Sequence, residues 1–362
     1  MPAPGSVSWN ADAAAHLLRR AAFGGTPEEV DELAALGLEG AVERLLADDP
    51  SQAEPPKTDP AEFVTRRSFS RATRQGDGKD PGEQAAYQRQ QRKILEDMRY
   101  WWLTRMHALA GAAREKLTLF WHGHFATSQA KVRFNHIMLG QNLTLRRLAM
   151  APFPELCAAM ACDPAMLVWL DGRQSRASAP NENFAREVME LFALGEGHYS
   201  EEDIREAARA FTGWTVNPSD GLAVFVPRRH DGGTKEILGR RGNFGATEAV
   251  DVICSRPECA EFLSAKLWEF YAGAPPDTEL CRSLAAFYRE RKLATGDLVR
   301  RIFTHPEFYS DAVRGRQIKS PVQWLVQASR ELGRQLLPQT LALRLATGLG
   351  QTLFEPPSVK GW

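Results

Sequence analysis

The sequence predicts one large, mainly helical domain over residues 1–362, with a small irregular or β-hairpin excursion near 213–245. Three observations predict it. Apolar residues recur at three- and four-residue intervals along most of the chain. Helix-start signals recur as well, at Thr26-Pro27-Glu28-Glu29, Ser200-Glu201-Glu202-Asp203 and Ser320-Pro321-Val322-Gln323. The alternation of strands and helices that builds a doubly wound sheet is absent, and the one good strand candidate is Leu222 to Val226.

The elements follow in order. Thr26 caps a helix that Pro27 opens, Val30, Leu33 and Leu36 give its apolar face, and Gly37 ends it. A second helix is expected from Leu38 to Ala47. Residues 48–85 hold eight Pro and Gly residues among many charges and are expected to form a mobile surface insertion. Helical periodicity resumes near Glu83 and runs through Trp101, Trp102 and Met106 to a break at Gly111. Further helices are expected over 114–125, 132–148 and 204–211.

Composition excludes some classes of function. The 362 residues are 43% hydrophobic, enough for a sizeable core, and 45 Lys plus Arg balance 45 Asp plus Glu. No global field therefore favours nucleic acid or an anionic membrane. The N-terminus lacks a basic leader followed by an apolar stretch, and no apolar run is long enough to cross a bilayer, so the chain as written is expected in the cytoplasm. Five cysteines cannot all pair within one chain. Cys157/Cys162 and Cys254/Cys259 share a spacing, but they lie in helix-like apolar runs, which suits buried thiols better than zinc knuckles.

There is no P-loop, G-x-S-x-G, H-E-x-x-H or G-x-G-x-x-G. Three polar clusters remain. In Phe120-Trp121-His122-Gly123-His124-Phe125, imidazoles are natural metal ligands. On a regular helix His122 and His124 point about 200° apart, so sharing one ion requires Gly123 to break the helix. In the run 181–192, Glu182, Asn183, Arg186, Glu187 and Glu190 share one helical arc, and Phe184, Val188, Leu191 and Phe192 face the other way. That stripe is either a solvated ladder of ion pairs or the wall of a polar site. The third cluster, His230-Asp231-Gly232-Gly233-Thr234-Lys235, has groups for a metal or a phosphate.

Together these segments resemble the bacterial domain of unknown function 1800 family. The resemblance rests on His16-Leu17-Leu18-Arg19-Arg20 with Phe23-Gly24, FWHGHF at 120–125 and NENFAREVMELFALG at 181–195. It also rests on ARAFTGW at 208–214, HDGGTKEILG at 230–239, Lys319-Ser320-Pro321 and the closing PPSVKGW. It implies a large helical protein of no assigned activity. It also implies that relatives are often exported, and that the partner is a sulfatase- or phosphatase-like protein of the domain of unknown function 1501 family. Gly123 departs from the family's FWHNHF-like motif. Relatives usually run on past K-G-W, so a further C-terminal segment is expected to cover Leu349, Leu353 and Phe354.

The resulting expectation is a metal-assisted, hydrolase-like site. His122, His124, His230 and Asp231 would hold a divalent metal ion, Glu187 or Glu190 would act as acid or base, and Arg186 would orient an anionic substrate. The alternative is a non-catalytic binding or assembly protein. The two are separated by whether the three clusters converge on one pocket.

Overall fold

All three helix-start signals fold as capping boxes. Thr26 Oγ1 accepts from the Glu29 N–H while the Glu29 carboxylate accepts from the Thr26 N–H. Ser200 with Asp203 and Ser320 with Gln323 repeat the arrangement. Each box satisfies two backbone donors that a helix start otherwise leaves open.

The structure is a computed structural model that describes residues 7–47, 54–59 and 81–362. Most of the expected insertion at 48–85 lies outside the described residues; its end, from Pro81, already belongs to the helix Pro81–His107. The described residues form 17 α-helices and two small antiparallel sheets of two strands each. Strand β1 (Trp214–Val216) pairs with β2 (Ala223–Phe225), and β3 (Lys235–Ile237) with β4 (Arg240–Gly242). The fold is therefore mainly helical with a β excursion in the expected place. None of the described helices is long and apolar enough to cross a membrane.

The helix Ala112–His124 runs through the centre. Leu117, Phe120 and Trp121 pack into a large apolar group with Phe125, Phe153, Phe192 and Trp268. Ala112 and Leu119 pack into a second group with Trp102, Met98, Leu325 and Phe354. Its N-terminus follows Gly111, whose φ of +71° suits glycine. Because both sides are covered, the polar residues of this helix other than Arg114 are buried too. Glu115 is held from three sides: Arg105 Nε at 2.8 Å, Arg146 through Nε at 2.7 Å and Nη2 at 2.9 Å, and the Trp102 indole at 2.9 Å. Burial raises its proton affinity, but the two guanidiniums outweigh burial and keep the carboxyl below its ordinary value.

Two expected helices differ in detail. The run 132–148 is broken: Arg133 adopts φ +67° between a short turn Gln129–Val132 and the helix Asn135–Arg147. The run from Glu182 is α-helical to Glu187 and then widens into a π-helix, Val188–Leu194. Phe184, Val188 and Phe192 are buried as expected, but the changed register leaves Leu191 only partly buried. At the C-terminus, Leu349 is exposed, whereas Leu353 and Phe354 are fully covered by the described chain, correcting the expectation that all three need a further segment. The five thiols are free, with Cys157, Cys254 and Cys259 buried.

Candidate functional site

The expected metal ligands occupy separate environments. The helix continues through Gly123, so the two histidines do face opposite ways. His122 Nε2 accepts from the Phe354 N–H at 3.2 Å, and its ring lies 5.1 Å from Trp102 and 5.4 Å from Trp362. Burial pushes its pKa down to about 3. His124 Nε2 donates to the Phe192 carbonyl at 2.9 Å. Burial, reinforced by Lys266, holds that ring neutral too, and Nδ1 is left buried without a partner.

In the third cluster, His230 Nδ1 donates to the Thr212 carbonyl at 3.0 Å. Asp231 takes Arg209 Nε at 2.7 Å and Nη2 at 3.2 Å, which pull its pKa down to about 2. The Lys235 ammonium donates to the carbonyls of Asp231 and Gly233. Those groups lock the loop to the helix Glu201–Ala210 and satisfy one another. Among the described residues, no three His, Cys, Asp or Glu side chains gather closely enough to share a metal ion.

The polar stripe is only partly self-contained. Arg186 grips Glu201 bidentately at 2.9 and 2.7 Å rather than bridging Glu182 and Glu190. Glu190 accepts from the Tyr199 hydroxyl at 2.8 Å. Glu187 is half-buried. Burial and then Glu190 raise its proton affinity, against the pull of Lys360 and Arg186. The structure thus brings the helix bearing Glu187 to His124, through Phe192, and to the K-G-W segment, through Lys360. It leaves His230 and Asp231 with Thr212 and Arg209.

Of the motifs singled out in the sequence, the histidine run, Ser320 and the closing Lys360 and Trp362 border a cavity of about 550 Å³, which no residue of 181–195 or 230–239 lines. Phe120, Gly123 and His124 line it from one helix and Lys266, Glu269 and Phe270 from the helix Pro257–Ala272, with the Phe120 and Phe270 ring centres 5.1 Å apart. The segment 316–320 and the terminal Lys360 and Trp362 form the rim. Two glycines make this closure possible. Gly273 (φ +83°) ends the second helix, and a Cβ there would lie 2.7 Å from the Gln317 backbone. Gly361 (φ +84°) crosses the first helix so closely that a Cβ would meet the Gly123 carbonyl oxygen at 2.5 Å.

The charge of the cavity is lopsided. Lys266, Arg316 and Lys360 line it against the single carboxylate of Glu269. Lys266 is the inner cation. Its ammonium sits 4.9 Å from the Phe262 ring centre and makes no hydrogen bond to any described residue. Burial, only partly offset by Glu269, pushes its pKa down to about 8. The site offers a cation without a hydrogen-bond partner and aromatic surface at Phe120 and Phe270. Sequence reasoning singled out His124 but missed Lys266, which reads there as an ordinary helical lysine.

The profile of the family described as "Protein of unknown function (DUF1800)" matches residues 16–362, nearly the whole chain. No curated protein and no solved structure matches.

Proposed function

The chain belongs to the DUF1800 family, and from the cavity beside His124 we propose that it binds a small organic anion there, in the manner of a binding protein rather than a metal-assisted hydrolase. The observation that carries this is Lys266: a mostly buried ammonium in an aromatic-walled cavity, with no described hydrogen-bond partner and only Glu269 of opposite sign beside it. A charge taken from water without a partner is costly. A ligand carboxylate or ester anion would supply that partner, and its apolar part would lie against Phe120 and Phe270. Metal-assisted hydrolysis draws less support, since it requires the His and Asp ligands to meet at one point.

A sulfatase- or phosphatase-like partner, which the resemblance implied, would handle anions of the same class, and a complex with one belongs to this proposal. The test is calorimetric titration with a panel of aryl carboxylates, aryl phosphates and aryl sulfates, on the parent chain and on Lys266→Met. At least one member should bind saturably to the parent and at least tenfold more weakly to the variant. Equal binding to both, or none to either, sinks the proposal.

A further inference from the structure

On the far side of the segment 314–320 lies a second cleft, of about 380 Å³, bordered by Arg19, Arg20, Arg314 and Lys319 with one opposing carboxylate, Asp12. Gln317 borders both clefts. Two of the cations already have partners. Arg19 pairs with Glu331 at 2.9 Å, and Arg314 Nε donates to the Tyr309 carbonyl at 3.0 Å. Arg20 is only half satisfied: it is 4% exposed, its Nη2 donates to the Val313 carbonyl at 2.9 Å, and its Nη1 is buried with no partner. Lys319 is exposed and makes no hydrogen bond to any described residue.

Behind Arg20 stands Lys116, 1% exposed. Its ammonium has no hydrogen bond to any described residue and lies 4.9 Å from the Phe23 ring and 5.8 Å from that of Phe270. The neighbouring groups register the resulting field. Lys116 is pushed down to about 7 by burial, then by Arg20 and Lys319. His16, which lines the cleft, is pushed down to about 4 by burial, then chiefly by Arg20, with Arg314 and Arg19 adding.

We infer that this cleft is a binding site for a tetrahedral oxyanion, the phosphate or sulfate group of a small molecule, held by Lys319, Arg314 and the guanidinium of Arg20. Arg20 borders the cleft with one guanidinium nitrogen left without a partner, and the cations of Arg314 and Lys319 on the same cleft add charge-assisted donors for such a group. Apolar burial alone does not account for two adjacent cations, Arg20 and Lys116, kept inside without a carboxylate between them. The inference stands on residues other than Lys266 and does not need the first cavity to be filled.

The test is calorimetric titration of the whole chain with sodium phosphate and sodium sulfate at constant ionic strength, then with phenyl phosphate. One saturable site for the inorganic ions is expected. Lys319→Gln and Arg314→Gln alter the rim and should each weaken it at least fivefold, and Asp12→Asn should tighten it. Lys266→Met should leave it unchanged, which separates this site from the first. Tighter binding of phenyl phosphate than of phosphate would assign the cleft to the anionic end of a larger ligand, and equal binding to the free ion. Absence of saturable binding, or rim variants that bind as the parent does, would overturn the inference.

Discussion

Replacing Lys116 by Met should stabilise the protein, although it removes a charge that two aromatic rings attract. The lysine's pKa falls from 10.5 to about 7 on folding, with burial as the first cause and the repulsion of Arg20 and Lys319 next. At about 1.4 kcal/mol per tenfold change in proton affinity, holding this amine inside at pH 6.5–7 costs roughly 4 kcal/mol. Its contacts with Phe23 and Phe270 return about 0.5–2 kcal/mol. Met keeps the length of the stem without the charge, so a net gain of roughly 2–3 kcal/mol is expected near neutrality. The pH dependence has a definite sign. Between about 7 and 10.5 the unfolded chain holds the proton and the folded chain does not, so the parent gains stability as pH rises through that window. Lys116→Met lacks the effect, so its advantage should be largest at pH 6.5 and nearly gone by pH 9.5. Urea unfolding followed by tryptophan fluorescence at both values measures this. A variant less stable than the parent at pH 6.5, or an advantage that does not change with pH, would refute the reasoning.

Two further substitutions probe the frame of the sites. Glu115→Ala strips the counter-charge from Arg146 and Arg105 inside the protein and should cost about 3–5 kcal/mol, read from the same urea curves; a loss below about 1 kcal/mol would mean that the two arginines find other partners. Gly361→Ala places a methyl against the Gly123 carbonyl at a backbone angle that L-residues rarely adopt. It should undock the terminal segment, abolish hydrogen-exchange protection near residue 361 and weaken organic-anion binding at the rim formed by Lys360 and Trp362; unchanged protection would show that the segment has another way to dock.

Local signals were the legible part of this fold. Thr26, Ser200 and Ser320 announce their helices because a capping side chain bonds to backbone only three residues away. The burial of Phe184 and Val188 followed from helical geometry alone, whereas the shared metal expected at His122 and His124 required a break at Gly123 that the continuous helix does not make. Misses came where tertiary contacts override that geometry. No property of Arg133 itself demands its positive φ, and the π-turn that alters the setting of Leu191 forms where the chain packs around His124 and Phe125. The histidines and acids of the motifs find protein partners instead of a metal: backbone carbonyls for His124 and His230, the Phe354 N–H for His122, Arg209 for Asp231 and the Tyr199 hydroxyl for Glu190.

A signal of another kind, unread in the motifs, marks the cationic cleft: a charge on the wrong face. In the helix Ala11–Ala21, Arg20 falls three and seven residues after Leu17 and Ala13, on the stripe that is buried, while Arg19 falls outside it. In the helix Ala112–His124, Lys116 falls three and four residues from Ala113, Ala112 and Phe120, again among buried neighbours. A helix placed by its apolar stripe must carry such a charge inside, where it needs an anion, loses its proton or costs stability. Glu115 lies one residue before Lys116, yet its carboxylate is committed to Arg105, Arg146 and Trp102, so no protein anion is left over for Lys116. Breaches of local patterning of this type concentrate where a protein handles a ligand. The two that could be read from this sequence, Arg20 and Lys116, lie together behind one cleft.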